Sequence, residues 1–126
     1  MPTVLVVDDE FAIADLLETI LSDEGYRVLT ACNGKQGFEK LAQGGSDVIL
    51  LDFMMPILDG GGMLRAVAAA PAYQRIPVIM MSSLSEQVIA TKCEGYVAFL
   101  RKPFRVTEVL STVARVLGNR TNNAHC

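Results

Sequence analysis

Acidic side chains, a serine and a lysine lie at the ends of four of the five short apolar stretches of this chain. Asp8 and Asp9 directly follow the first stretch, and Asp52 follows the third. Ser82 and Lys102 come after the last two. A carboxylate can attack phosphorus and form an aspartyl phosphate. Phosphoryl transfer asks the protein mainly for positioning and charge neutralisation. These residue types therefore indicate phosphoryl chemistry, provided that the fold brings them together.

Three carboxylates within a few ångströms of one another would need a cation between them. Without one, Asp8, Asp9 and Asp52 would repel one another and raise each other's pKa. Mg²⁺ suits a sparse acidic pocket, because it binds one or two carboxylates plus phosphate oxygens and keeps several waters. A zinc site is not predicted, since the single histidine is His125 near the C-terminus. A simpler interpretation of Asp8, Asp9 and Glu10 is that they favour the N-terminus of the following helix.

The apolar patterns predict five strands that alternate with five helices. The predicted strands cover residues 3–7, 26–31, 48–51, 77–81 and 96–100. The predicted helices run from residue 11 to a stop at Gly25, and over 35–43, 60–70, 85–94 and 105–117, with the weakest apolar stripe in the fourth. This alternation predicts an α/β fold, a doubly wound parallel sheet with helices on both faces. Open sheets of this kind bind ligands at the carboxyl ends of their strands, where the polar residues above would gather.

Length and composition predict one soluble domain in the cytoplasm. We expect the domain to cover residues 1–118, with Gly118 ending the last helix and a polar C-terminal tail over 119–126. The net charge is −3 and the sequence pI is about 5.0, without a cluster of lysine and arginine, which argues against direct binding of nucleic acid. No apolar run approaches the roughly 20 residues of a membrane span.

Four motifs, taken together, resemble the receiver domain of two-component response regulators. They lie at residues 4–10, 50–60, 77–83 and 99–104, and the second carries the pattern Asp-x-x-x-Pro-x-x-Asp-Gly. The resemblance runs from residue 3 to about 117. It implies a flavodoxin-like fold: a five-stranded parallel sheet in the order 2-1-3-4-5, flanked by five helices.

The resemblance also implies a phosphorylation site. Asp52 would accept the phosphoryl group, and Mg²⁺ would be bound by Asp8, Asp9, Asp52 and the backbone carbonyl of Met54. Lys102 would contact the phosphoryl group, with a cis peptide bond between Lys102 and the proline that follows it.

The implied consequence of phosphorylation is a change of surface. Ser82 would move toward the phosphoryl group, and Phe99 would then turn from an exposed to a buried position. The surface formed by helix 4, strand 5 and helix 5 would be remodelled for a downstream protein. The phosphoryl donor would be a sensor histidine kinase or a histidine phosphotransfer protein. Such a chain is a signalling phosphoacceptor and not an enzyme in the usual sense, since it catalyses only its own phosphorylation and dephosphorylation.

Several alternatives stay open at this point. The chain could act alone or be part of a longer regulator or hybrid kinase. It could also be a pseudo-receiver, a scaffold that binds proteins without phosphorylation. A flavin-binding electron carrier is disfavoured, because acids follow the first strand where a phosphate-binding loop would be needed. A phosphohydrolase with an aspartyl nucleophile would be expected to carry Asp-x-Asp after the first strand and an inserted cap domain, and neither is present.

Overall fold

The computed structural model describes residues 1–124. Within them, five strands alternate with five helices. The strands are Thr3–Val7 (β1), Arg27–Ala31 (β2), Val48–Asp52 (β3), Val78–Ser82 (β4) and Ala98–Arg101 (β5). The helices are Phe11–Asp23 (α1), Gly34–Ala42 (α2), Gly60–Ala69 (α3), Glu86–Ala90 (α4) and Val106–Ala124 (α5).

The strands form one parallel sheet in the order β2-β1-β3-β4-β5. Strand β1 pairs with both β2 and β3, so that Leu5 lies between Leu29 and Ile49. Each connection passes through a helix, as parallel neighbours require. The predicted α/β fold is confirmed, with its doubly wound sheet, its order 2-1-3-4-5 and its five flanking helices.

The central strands β1, β3 and β4 are buried along their whole length. Successive side chains of a strand point to opposite faces of the sheet. Val6 accordingly packs in a cluster with α1 and α5, and Val7 packs in a cluster with α2, α3 and α4. Because helices cover both faces, polar groups at the carboxyl ends of the strands can reach solvent only along one edge of the sheet.

The last helix extends beyond its predicted end. The prediction that Gly118 ends it is wrong, because α5 continues to Ala124. A glycine that ends a helix usually has positive φ. Gly25 after α1 has φ +93°, but Gly118 is not among the positive-φ glycines. A glycine inside a helix costs about 1 kcal/mol relative to alanine, which this 19-residue helix tolerates. The domain boundary at residue 118 stays a prediction, and residues 125 and 126 of the predicted tail lie outside the described residues.

Helix α4 is shorter than predicted. It covers Glu86–Ala90, whereas the sequence predicts a helix over residues 85–94. The Ser85 hydroxyl caps its N-terminus by accepting a hydrogen bond from the Val88 N–H, and Ile89 is its buried residue. With one buried anchor, packing stabilises little more than a single turn. The other boundaries differ from prediction by one or two residues, as helix and strand ends commonly do.

In the part of the chain that the structure describes, none of the helices has both the length and the apolar character that a membrane span requires.

Candidate functional site

Three buried polar residues and Lys102 lie together at the carboxyl edge of the sheet. Asp8 follows β1, Asp52 is the last residue of β3 and Ser82 is the last residue of β4, and all three residues are at most 4% exposed. Lys102 follows β5, and its backbone N–H donates a hydrogen bond to the Ser82 carbonyl at 2.8 Å. The predicted convergence is therefore present for these four residues.

The ammonium of Lys102 contacts three carboxylates. Its Nζ lies 2.8 Å from Asp8 Oδ2, 2.9 Å from Glu10 Oε1 and 3.3 Å from Asp52 Oδ1. The Asp8 side chain is fully buried, and the Asp52 side chain is 6% exposed. Glu10 differs from both, because its side chain is 60% exposed. One cation thus faces three anions in a pocket that is largely shielded from water.

The acids that come together are not the set predicted from sequence. Asp8, Glu10 and Asp52 can each offer an oxygen within 4.8 Å of the others, close enough to share a metal ion. Asp9 is exposed and outside this trio, although its carboxyl is near enough to Asp52 for a side-chain hydrogen bond. Glu10 was not among the predicted site residues, and the one signal for it was its position directly after the two aspartates.

A local turn explains where Glu10 points. The Glu10 N–H donates a hydrogen bond to Asp8 Oδ1 at 2.9 Å. Glu10 has an extended backbone as the N-cap residue of α1, and its side chain makes no capping bond to that helix. The carboxylate is instead directed to Lys102.

Burial and charge shift the pKa values of the site. The pKa of Asp52 is raised to about 7, by burial first and then by the charge of Asp8, against the lowering effect of Lys102. Burial also raises the pKa of Asp8, opposed by the hydrogen bond from Lys102. For Lys102, burial lowers the pKa, but the bonds to Asp8 and Glu10 outweigh it and the pKa is raised. One lysine does not neutralise the carboxylates, so the pocket favours binding of a proton or a further cation.

The loop after Asp52 is tightly built. The Leu58 N–H donates to the Pro56 carbonyl at 2.8 Å, which closes a γ-turn on Ile57 at φ +70°. A γ-turn with positive φ is rare and strained, particularly for a β-branched residue. Gly60 lets the loop return to the strand, because a Cβ there would lie 2.5 Å from the Asp52 carbonyl oxygen.

The predicted backbone ligand, Met54, lies in this loop. Its side chain is 60% exposed. Met54 lines a cleft together with Asp9, Phe53, Met55 and Asp59. The cleft therefore places the Met54 segment beside Asp9, one of the acids that follow β1.

Ser82 and Phe99 lie on one face of the sheet. Phe99 pairs in register with Met80, and Ser82 is two residues further along β4. The Ser82 hydroxyl accepts a hydrogen bond from the Leu84 N–H at 3.0 Å. Phe99 is half-buried, with its ring centroid 6.3 Å from that of Tyr96. The peptide bond between Lys102 and Pro103 is cis, as expected.

The family model of the response regulator receiver domain matches residues 4–114. The chain belongs to this family. Its fold is that of a receiver domain of two-component signalling.

Relatives of this receiver domain include proteins of two lengths. The DNA-binding dual master transcriptional regulator RpaA of Synechocystis is 36% identical over 126 residues, which cover 97% of this chain and 51% of that protein. The sporulation initiation phosphotransferase F of Bacillus subtilis is 30% identical over 121 residues, which cover 94% of this chain and 96% of that protein. The chain spans about half the length of most of the curated relatives that it matches best.

Among solved structures, the receiver domain of the sensor histidine kinase PA1611 from Pseudomonas aeruginosa has a TM-score of 0.86 and 28% identity. The match covers 93% of this chain and 98% of that one. That structure has a magnesium ion coordinated in its active site cleft.

Proposed function

We propose that this receiver domain accepts a phosphoryl group on Asp52 in a Mg²⁺-dependent reaction. The observation that carries the proposal is the position of the Asp52 carboxylate, buried at the carboxyl end of β3 with Oδ1 3.3 Å from Lys102 Nζ. A carboxylate oxygen of Asp52 would form a bond to phosphorus, and the bond from phosphorus to the donor would break, its electron pair leaving with the donor. Lys102 would neutralise part of the charge on the transferred group.

The donor set fits Mg²⁺. Carboxylate oxygens are the ligands that this hard cation prefers, and Asp8 and Asp52 offer oxygens close enough to share it. We include Asp9 and the Met54 carbonyl as further ligands, because both residues line the cleft beside the pocket. The metal would supply charge neutralisation between the carboxylates and the incoming phosphoryl group. The chain's own part is to exclude water from Asp8 and Asp52 and to orient the Lys102 ammonium.

The test is phosphorylation by a small molecule. The protein is incubated with Mg²⁺ and a small acyl phosphate, and its intact mass is measured. We expect a gain of one phosphoryl group that is lost without Mg²⁺ and in Asp52→Asn. Asp23→Asn is the matched control, because it removes one exposed charge at the far end of α1 from the pocket. No gain at any donor concentration would refute the proposal and favour a scaffold that works without phosphorylation.

We further propose that Ser82 and Phe99 transmit the modification. The Ser82 hydroxyl is bound by one backbone N–H of the following loop, and it shares a sheet face with Phe99. If the hydroxyl turned to a phosphoryl oxygen, this loop would lose its bond and Phe99 could repack. NMR shifts of the Phe99 ring should change on phosphorylation in the wild type and in the exposed-site control Ser83→Ala. This role is contradicted if the Phe99 ring shifts of Ser82→Ala change on phosphorylation as they do in the wild type.

The proposed partners are proteins. The phosphoryl donor would be a sensor histidine kinase or a histidine phosphotransfer protein of the cytoplasm, and the output would be a downstream protein that binds the α4, β5 and α5 surface. With a net charge of −3, this chain is not expected to bind nucleic acid itself. Purified protein should show no salt-dependent shift with duplex DNA.

A further inference from the structure

Glu10 is bound to Lys102 without being buried with it. Its Oε1 lies 2.9 Å from Lys102 Nζ, while 60% of its side chain remains exposed. It occupies the N-cap position of α1 but makes no capping bond to that helix. Its side chain thus has one hydrogen-bonding role among the described residues, which is to accept from Lys102.

The Lys102 ammonium donates hydrogen bonds to Asp8 and Glu10, and it also forms an ion pair with Asp52 at 3.3 Å. A lysine ammonium has three N–H donors, and three carboxylates surround this one, those of Asp8, Glu10 and Asp52. A phosphoryl group on Asp52 would add oxygens that need donors of their own. The weak 3.3 Å contact to Asp52 can supply one donor, and a second requires that Asp8 or Glu10 give up its bond.

The degree of burial decides which carboxylate can lose its hydrogen bond from Lys102. The Asp8 side chain is fully buried, so water cannot replace Lys102 as its hydrogen-bond partner. Glu10 would be rehydrated at once, because most of its side chain already contacts solvent. The exposed carboxylate is therefore the partner that can exchange Lys102 for a new anion.

We propose that Glu10 is a positioning residue that holds Lys102 in the unphosphorylated chain and must release it when the phosphoryl group arrives. This inference rests on the proposed phosphorylation of Asp52. Glu10 then slows phosphoryl acceptance, because the bond to Lys102 has to break during the reaction. Exposed ion pairs contribute little free energy, so the expected effect is about two- to fivefold in rate.

Two variants separate the contact from the charge. Glu10→Ala removes both, whereas Glu10→Asp keeps the charge but shortens the side chain and offers a carboxylate that can cap α1 instead. Glu18→Ala is the control, since it removes an exposed acid two turns further along the same helix. The rate of phosphorylation is measured at saturating Mg²⁺. The Lys102 ammonium is followed by ¹⁵N NMR in metal-free, unphosphorylated protein, where loss of an acceptor speeds its proton exchange with water.

We expect both Glu10 variants to be phosphorylated about two- to fivefold faster than the wild type and to show faster ammonium exchange, with Glu18→Ala unchanged. The proposal is overturned if both Glu10 variants have the phosphorylation rate and the Lys102 ammonium exchange of the wild type. So would a Glu10→Asp protein that behaves like the wild type, because the charge alone would then explain the effect. If the wild type is not phosphorylated at all, the proposed function fails and the release step fails with it. The NMR comparison then still decides whether Glu10 holds Lys102.

Discussion

Replacing Asp52 by asparagine is expected to stabilise the metal-free chain at neutral pH. The wild-type side chain is 6% exposed and shares its pocket with Asp8, and burial raises its pKa to about 7. Asparagine has nearly the shape of the protonated acid, and it carries no charge to be buried. The substitution therefore removes an unfavourable charge at the cost of one weak contact with Lys102 at 3.3 Å.

The pKa sets both the sign and the size of this effect. A carboxyl whose pKa is higher in the folded than in the unfolded state binds its proton more tightly when folded, so stability falls as the pH rises between the two values. For Asp52 these values are 3.8 and about 7. At about 1.4 kcal/mol for each pH unit, the gain from asparagine is near zero below pH 4 and reaches at most about 4 kcal/mol near pH 7.

Urea unfolding with a chelator present, at several pH values from 4 to 8, measures the difference in unfolding free energy between Asp52→Asn and the wild type. Asp59→Asn is the control, and as an exposed acid it should stay within about 0.5 kcal/mol of the wild type at every pH. Mg²⁺ should reduce the gain, because a cation that binds the folded wild type stabilises it. The reasoning is refuted if Asp52→Asn destabilises the metal-free chain at pH 7, or if the gain is the same at pH 4 and pH 7.

The strained loop and the glycines allow further stability predictions, all measured by thermal or urea unfolding. At Ile57, with φ +70° and 79% exposure, glycine should be more stable than the wild type by about 1 kcal/mol, while alanine should bring no gain. The reverse order of glycine and alanine would contradict strain at this turn. Gly60→Ala should cost about 1–3 kcal/mol or more, because its Cβ would lie 2.5 Å from the Asp52 carbonyl oxygen. Gly118→Ala should instead stabilise by up to about 1 kcal/mol, since its Cβ would meet no atom within 4 Å and α5 continues through it. Equal effects at the two glycines would show that close contact is not what distinguishes them.

The order of strands and helices was predictable because its signals are local. Continuous apolar runs identify strands that are buried on both faces, and a polar residue at the end of each run marks the edge of the sheet. Asp52 and Ser82 are themselves the last residues of their strands, so strand position alone brings them to the edge. The ends of helices were less predictable, since Gly25 and Gly118 are the same residue type with opposite outcomes. The extent of α5 depends on the backbone conformation at Gly118, which the residue type alone does not reveal.

By itself, the sequence determined the fold class, the carboxylate at the end of β3 and the lysine that faces it. The tertiary structure decided which acids share that lysine. Lys102 and Glu10 are 92 positions apart, and their contact depends on a turn in which the Glu10 N–H binds Asp8. Strand periodicity ends before this turn, so the sequence pattern could not separate Asp9 from Glu10. Only the folded chain exposes one acid of the pocket and buries the others, and that difference in hydration determines which of them can release Lys102.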